Sequence, residues 1–349
     1  MSIVEYKKIK NTGLGVLFIL LFFLIPVFST AQIPSLDMSL ILKSAPLHPK
    51  PNKVVTVTLT SYSTNLDKAE SIKWYVNGNL VAQDASISAI SLKTGALGSR
   101  STIEVVVKSS RGEVLRKQLI LRPTDIDLLW EAQSYTHPLY KGKALPSSRA
   151  SVTTVAMAYF VTSGGRLLSS NELIYKWRQN GKILGSVSGR GKNTLTTEAP
   201  RLFNSELIHV EIESADGLLR GSEAIEIESV QPRIIFYEKN PILGTIYEQA
   251  LQGVFRLSNK EVTITAIPFF FSGKEKADSD LIYEWRFNGS IIDNPSRHQS
   301  NITLRNIGDG SGNATVFLSV QNAKKLLHAA RVSFSIQFTE TGASNPFSF

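Results

Sequence analysis

The sequence contains no cysteine among its 349 residues. An exported chain without cysteine has no disulfide bonds, so each of its domains depends on a hydrophobic core for stability. The same absence excludes a lipid-modified N-terminal cysteine, thiolate zinc ligands and a cysteine nucleophile. Cysteine chemistry is thus excluded for the residues of this sequence.

Histidine is scarce as well, and its spacing excludes the common metal motifs. None of the five histidines lies within metal-ligand spacing of another, and the sequence contains no His-Glu-x-x-His. We therefore expect no metal site and no cofactor, with each histidine at the surface or packed on a strand. The five residues are His48, His137, His209, His298 and His328.

No segment of the sequence has the pattern of a catalytic centre. Residues 185–189 resemble a nucleophile elbow, but Val187 stands where the serine would be. Glu211 and Glu213 alternate along a predicted strand on its solvent face, whereas glycoside hydrolysis requires two carboxylates facing each other in a cleft. Residues 309–313 begin like a calcium loop but lack glutamate at the twelfth position, which favours a turn. The prediction is a protein that is not an enzyme.

The net charge of +9 at pH 7 is not concentrated in a basic block. No window interleaves Lys and Arg with aromatic residues, so the sequence does not predict a nucleic-acid partner. Two interpretations of the mild basicity remain open. It is either ordinary charge for solubility or a preference for an anionic wall, polysaccharide or membrane surface.

Residues 1–31 have the three parts of a secretory signal peptide. Lys7, Lys8 and Lys10 precede an apolar run over 14–28, and Ser29-Thr30-Ala31 offers a cleavage site before Gln32. The apolar run is about 15 residues, short of the roughly 20 that span a bilayer. The alternative is an uncleaved signal anchor, in which case residues 1–31 make the chain's membrane contact. Both alternatives predict an exported chain, located at the cell surface, in the periplasm or outside the cell.

A tryptophan signature recurs about every 100 residues, which is the length of one β-sandwich domain. Hydrophobic residues alternate with polar ones up to the tryptophan, as on a strand with one buried face. An Asn-Gly pair follows and predicts a type I′ hairpin turn. The predicted structural core signature is Trp74, Asn77 and Gly78; Trp177, Asn180 and Gly181; and Trp285, Asn288 and Gly289.

Further alternating strands before and after each tryptophan complete a predicted all-β fold: three tandem immunoglobulin-like antiparallel β-sandwiches after an N-terminal signal segment. The predicted domains are 32–123, 124–230 and 231–349, the last with a short C-terminal tail. Residues 128–131 and 235–238 resemble each other and predict the first strands of the second and third repeats. Because these strands directly follow the preceding repeat, we expect a stiff array, with Trp130 packed between domains.

The Tyr-x-Trp-x-x-Asn-Gly pattern, with a glycine-containing hairpin further along, resembles bacterial immunoglobulin-like domains and polycystic-kidney-disease-type (PKD-type) domains. The resemblance covers residues 33–338. PKD-type domains usually follow the tryptophan with an acidic Asp/Gly-rich turn, whereas this sequence has Arg178-Gln179-Asn180-Gly181. In exported bacterial proteins the resemblance implies spacers, adhesin stalks, or contacts with carbohydrate or protein.

Two functional hypotheses follow from these observations. The first is a non-catalytic exported or cell-surface protein whose repeats serve as an adhesive or scaffolding stalk, with protein or polysaccharide at the cell envelope as its partner. The alternative is an accessory component of an envelope assembly such as a surface appendage or secretion apparatus. Under the alternative, Phe269-Phe270-Phe271 and the terminal segment 345–349 are candidate docking residues. The other interpretation of these segments is a core strand and a frayed tail.

Overall fold

The computed structural model describes residues 40–62, 65–257, 261–273, 280–292, 300–307, 311–325 and 328–338. The predicted signal segment, His298 and the terminal segment 345–349 lie outside the described residues, as do positions 309 and 310 of the segment that resembles a calcium loop. The described residues form strands with a few short 3₁₀ helices. The predicted all-β fold of tandem immunoglobulin-like sandwiches is confirmed.

The first sandwich packs a three-stranded sheet on a four-stranded sheet. Its strands are β1 (Ile41–Ala45), β2 (Val54–Thr60), β3 (Ser71–Val76), β4 (Asn79–Gln83), β5 (Ala89–Lys93), β6 (Ser101–Lys108) and β7 (Val114–Leu121), with a 3₁₀ helix at Leu66–Lys68. The sheet orders are β1-β2-β5 and β4-β3-β6-β7. The fourth strand thus pairs with the third, unlike the constant-type immunoglobulin sandwich, where it joins the sheet of the first two.

The second sandwich repeats this arrangement. Its strands are β8 (Asp125–Ala132), β9 (Ser151–Tyr159), β10 (Leu173–Gln179), β11 (Lys182–Ile183), β12 (Gly189–Arg190), β13 (Thr194–Glu198), β14 (Ser205–Ser214) and β15 (Arg220–Glu228), with 3₁₀ helices at Ser170–Glu172 and Gly185–Val187. The sheet orders are β13-β9-β8 and β11-β10-β14-β15, and β12 pairs with β10. The segment that resembles a nucleophile elbow is therefore a 3₁₀ turn.

The third sandwich carries an additional hairpin on its first strand. Its strands are β16 (Arg233–Asn240), β17 (Gly244–Leu251), β18 (Val254–Leu257), β19 (Glu261–Phe269), β20 (Leu281–Phe287), β21 (Ser290–Ile291), β22 (Asn301–Arg305), β23 (Gly312–Asn322) and β24 (Ala329–Phe338). The sheet orders are β17-β16-β19-β22 and β18-β24-β23-β20-β21. The β18–β24 pair is parallel.

Each sandwich has its own hydrophobic core, and the signature tryptophan lies inside it. Trp74 and Trp177 are 0% exposed and Trp285 is 1% exposed. The indole N–H of Trp74 donates to the Ile87 carbonyl at 3.0 Å, and that of Trp177 to the Lys192 carbonyl at 2.9 Å. Trp74 and Trp177 are core residues, because each ring is buried and its N–H group is hydrogen-bonded.

The Asn-Gly pair after each tryptophan forms a tight turn with positive φ at both residues, as a type I′ turn requires. The φ angles are 51° and 83° at Asn77 and Gly78, 49° and 80° at Asn180 and Gly181, and 46° and 86° at Asn288 and Gly289. Each asparagine Oδ1 also accepts a backbone N–H from a neighbouring segment: that of Thr102, Leu207 or Thr315, at 2.8, 2.9 and 2.8 Å respectively. The turn is therefore anchored to the sheet as well as shaped by its backbone.

Candidate functional site

The nine signature residues occupy three separate cores and turns, and the structure does not bring those of different repeats together. Among the described residues there is no group of three His, Asp or Glu side chains able to hold a metal ion. The part of the chain that the structure describes also has no helix long and apolar enough to cross a membrane. Outside the cores, residues of neighbouring sandwiches contact each other at two junctions.

The first junction is made by the loop that follows β1. The Thr124 backbone N–H, just before β8, donates to the Pro49 carbonyl at 3.3 Å. The Lys50 ammonium lies 2.5 Å from a Glu223 carboxylate oxygen and 3.6 Å from one of Asp125. The hydrogen bond to Glu223 raises the pKa of Lys50. Asp125 thus takes part in an ion pair across the junction.

Close backbone contact completes the first junction. At Gly98 a Cβ atom would lie 2.9 Å from Val161 Cγ1 and 3.0 Å from the Thr162 carbonyl oxygen. The Thr124 hydroxyl, in the connection between the two sandwiches, donates to the Arg220 carbonyl of the second at 2.8 Å. Two separate loops of the first sandwich therefore contact the second.

A cleft of about 630 Å³ lies at this junction, with walls from both sandwiches. Leu47 and His48 form one wall, and Lys176, Glu211, Glu213 and Arg220 are among the residues of the other. Burial lowers the pKa of His48. Arg178 lies 3.1 Å from Glu211 and Arg220 lies 3.5 Å from Glu213, so the carboxylates are already paired with cations. The arrangement holds no pair of opposed carboxylates for acid–base chemistry.

The second junction is made by the longer segment between β8 and β9. The Tyr135 N–H donates to the Phe271 carbonyl at 2.8 Å, and the Phe270 N–H donates to the Tyr135 carbonyl at 2.7 Å. One isolated bridge pairs Ser134 with Ser272, and another pairs Ser147 with Val230 of the connection to the third sandwich. Backbone hydrogen bonds of the kind found within sheets thus join the second sandwich to the third.

The phenylalanine run at this junction is buried. Of its two interpretations, the exposed docking segment is wrong, and the run is buried as a core segment would be. Phe269, Phe270 and Phe271 are 6%, 3% and 1% exposed. Phe269 and Phe270 pack with Leu145 of the second sandwich, whereas Phe271 belongs to the core of the third. The apolar run is covered by a neighbouring repeat rather than by a separate partner.

Trp130 also differs from its predicted placement between domains. It packs against the core of the second sandwich, to which it belongs. The Lys143 ammonium lies 3.2 Å from the ring centroid, a cation–π contact. Burial lowers the pKa of Lys143. The pair therefore fastens the long segment between β8 and β9 to its own sandwich.

An aromatic pocket of about 230 Å³ opens at the second junction. We define it by His137, Tyr140, Lys141, Arg233, Tyr237 and Tyr247. The Tyr247 ring lies with its centroid 4.4 Å from that of His137 and 5.3 Å from that of Tyr237. Burial raises the pKa of Tyr237, so its hydroxyl stays protonated in neutral solution. Among the described residues that line the pocket there is no Asp or Glu.

His328 is buried at the second junction, where it is 1% exposed. Its Nε2 is hydrogen-bonded to the Ser148 carbonyl, and its Nδ1 lies 3.3 Å from both the Ser147 hydroxyl and the Ser272 backbone N–H. Since the Ser272 N–H is a donor, Nδ1 accepts and Nε2 carries the proton. Burial, with the nearby Lys325 ammonium, lowers the pKa of His328.

Sequence reasoning missed this role of His328 and expected a surface or strand-packing side chain. Its hydrogen-bond partners are separated from it by 180, 181 and 56 positions in the chain. No local pattern signals contacts at such separations. The segment around Tyr135 and the aromatic pocket were missed for the same reason.

Comparison with known proteins gives structural similarity only. No protein-family model and no curated protein sequence matches the chain. The fibronectin(III)-like modules of Clostridium thermocellum CbhA are 12% identical, with 55% of this chain and 94% of that chain covered and a TM-score of 0.26. The three N-terminal domains of the bacteriophage RB49 highly immunogenic outer capsid protein are 10% identical, with 86% and 99% covered and a TM-score of 0.25.

A third similar structure is SGBP-B of the Bacteroides ovatus mixed-linkage glucan utilization locus, solved in complex with a mixed-linkage heptasaccharide. It is 11% identical, with 83% of this chain and 64% of that chain covered and a TM-score of 0.22. With identities and scores this low, none of these proteins indicates a ligand or an activity for the chain. The chain is a tandem array of immunoglobulin-like β-sandwiches.

Proposed function

We propose that the chain is a non-catalytic exported or cell-surface protein whose sandwiches serve as an adhesive or scaffolding stalk. The observation that carries the proposal is the construction of the two junctions. Only Arg122, Pro123 and Thr124 lie between β7 and β8, and only residues 229–232 lie between β15 and β16. Both junctions are further held by contacts between the sandwiches, as described above.

Such junctions restrict the relative motion of neighbouring domains, which otherwise move freely across a long linker. A stalk needs this property, because it must hold a binding surface away from its attachment point. The bacterial immunoglobulin-like or PKD-type resemblance and the predicted signal segment support the same proposal, with protein or polysaccharide at the envelope as its partner.

The proposal is tested first by locating the mature chain in the native cells. We expect mass spectrometry to identify an N-terminus at Gln32 in periplasmic, surface or extracellular fractions. Retention of residues 14–28 in the membrane fraction would indicate a tethered stalk and leaves the export part of the proposal intact. A chain that keeps Met1 and fractionates with the cytosol would contradict it.

The alternative, an accessory component of an envelope assembly, is supported by an exposed apolar turn in the third sandwich. Ile242 and Leu243, between β16 and β17, are 92% and 77% exposed. Their backbone N–H groups both donate to the Asn240 side chain, which fixes the turn. A stoichiometric protein that co-purifies with the native chain, and is lost when Ile242 is changed to Ser, would favour this alternative over the adhesive stalk.

A further inference from the structure

We propose that the aromatic pocket at the second junction binds one carboxylated sugar ring of an acidic polysaccharide. This inference names a partner class within the proposed function and rests on it. The pocket is distinct from the charged cleft at the first junction, and the two differ in size, in lining and in the balance of their charges.

The size of the aromatic pocket limits its ligand to a single ring. Its volume of about 230 Å³ is smaller than the roughly 300–1,000 Å³ of pockets that enclose drug-sized ligands. A folded protein partner also requires a contact patch of about 800 Å² on each side. A polysaccharide chain meets the first limit, because it can place one ring in the pocket while its other rings remain in solvent.

The side chains that form the walls are amphipathic. Tyr140, Tyr237 and Tyr247 offer apolar ring surfaces together with hydroxyl groups. Tyr140 is 39% exposed and the other two are half-buried, so parts of these rings are open to a ligand. A sugar ring is amphipathic in the same way, with C–H groups on its faces and hydroxyl groups around its edge. The protonated Tyr237 hydroxyl can both donate and accept a hydrogen bond.

The charges at the pocket select an anion. Arg233 and Lys141 are both exposed, and within the described part of the chain neither forms an ion pair. No carboxylate among the described lining residues neutralises them. The guanidinium group of Arg233 can bind a carboxylate through two parallel N–H donors. The first junction differs here, because its cleft contains Glu211 and Glu213, each paired with a cation.

The pocket is held in place before any ligand arrives. His137, Tyr140 and Lys141 come from the second sandwich, and Arg233, Tyr237 and Tyr247 come from the third. The backbone hydrogen bonds of Tyr135 with Phe270 and Phe271 fix the two walls against each other. Little ordering is then required on binding, which favours affinity for a small contact area.

The inference is tested by isothermal titration calorimetry of the full mature chain with two matched probes. The first is a trisaccharide of galacturonic acid. The second is the corresponding galactose trisaccharide, in which each ring has a hydroxymethyl group instead of the carboxylate. We expect binding of the acidic trisaccharide and at least roughly tenfold weaker binding of the neutral one, because the neutral ring has no partner for Arg233.

Variants identify the pocket as the site of that binding. We expect Arg233→Glu and Tyr247→Ala each to weaken binding of the galacturonic acid trisaccharide at least roughly tenfold. The matched control is Arg111→Glu, which reverses an exposed charge in the turn between β6 and β7 of the first sandwich and should leave binding unchanged. Far-ultraviolet circular dichroism and melting of each variant show whether it is folded as the parent chain is.

Several outcomes would overturn the inference. These are absence of binding at millimolar trisaccharide, equal binding of the two trisaccharides, and equal weakening by Arg233→Glu and Arg111→Glu. Loss of a co-purified protein from the Tyr247→Ala chain, with no saccharide binding by the parent, would assign the pocket to a protein and overturn it as well. None of these results changes the expected N-terminus or location of the mature chain, so failure here is distinguishable from failure of the proposed function.

Discussion

At the scale of the residue, the tryptophan of each repeat makes the largest testable contribution to the fold. Trp177 is 0% exposed and packs within the core of the second sandwich. We expect Trp177→Ala to reduce the free energy of unfolding by about 3–5 kcal/mol, because it leaves a cavity in that core. Urea denaturation monitored by circular dichroism measures the change.

The control for this substitution is Met157→Ala, on β9 of the same sandwich. Met157 is 43% exposed, so its truncation opens no cavity in the core and should change the free energy of unfolding far less. If the two variants unfold at the same urea concentration as the parent chain, Trp177 does not have the structural role that its burial indicates.

At the scale of the element, the hairpin turn after each tryptophan depends on backbone conformation more than on space. Gly181 has φ +80°, and a Cβ atom built there would have no heavy atom within 4 Å. Gly181→Ala therefore creates strain without a steric clash. We expect a loss of about 1–2 kcal/mol in the free energy of unfolding, the cost of a left-handed conformation at a residue with a Cβ atom.

Gly164 provides a matched control for the turn, since it lies in a loop of the same sandwich. Its φ is outside the left-handed region. A Cβ atom added at Gly164 would lie 3.9 Å from the Thr162 hydroxyl oxygen, the nearest heavy atom. Gly164→Ala should be neutral or slightly stabilising, because alanine reduces the entropy of the unfolded chain. Equal destabilisation by the two substitutions would show that the conformation at Gly181 is not the cause.

The elements that the sequence predicted are those with a local pattern. Strands β3, β10 and β20 and their turns follow from alternation ending in Trp-x-x-Asn-Gly. The hairpin of β16 and β17 was not predicted, because only residues 235–238 were expected to form a strand there and residues 240–244 contain no Asn-Gly or Asp-Gly pair. The sequence also left open whether Phe269 and Phe270 are buried or exposed. An apolar run has the same local pattern whether a neighbouring domain or a separate partner covers it.

At the scale of the whole molecule, hydrogen bonds and ion pairs join the sandwiches at two junctions. The junction contacts join residues distant in sequence, such as Tyr135 with Phe271. This is why the sequence predicted short connections between the repeats but neither these contacts nor the candidate pocket. We expect the stiffness of the array of sandwiches to depend on these contacts as well as on the short connections. It should therefore change when a junction is weakened while the three cores remain intact.

We expect His328 to make the stability of the second junction depend on pH. In the folded chain the neutral ring satisfies the Ser148 carbonyl with Nε2–H and the Ser272 N–H with Nδ1. Protonation of Nδ1 would direct a second N–H at the Ser272 N–H and place a buried charge near Lys325. The pKa of His328 is therefore lower in the folded chain than the 6.5 of an unperturbed histidine. Below pH 6.5 the unfolded chain takes up a proton that the folded chain excludes.

The sign of the pH effect follows from this difference. The contribution of His328 to stability is complete well above pH 6.5 and decreases as the pH falls from 6.5 toward the lowered pKa of the folded chain. His48, at the first junction, also has a lowered pKa and contributes in the same direction.

The two contributions are separated by urea denaturation on both sides of pH 6.5. The parent chain is compared with the variants His328→Gln and His48→Gln. We expect the His48→Gln chain to keep the acid destabilisation that His328 causes and the His328→Gln chain to lose it. The reason is that glutamine has a hydrogen-bond donor and acceptor but gains no proton. An unchanged pH dependence in His328→Gln would mean that the second junction holds equally well at acidic pH, and the pH sensitivity of the array would then have to reside elsewhere.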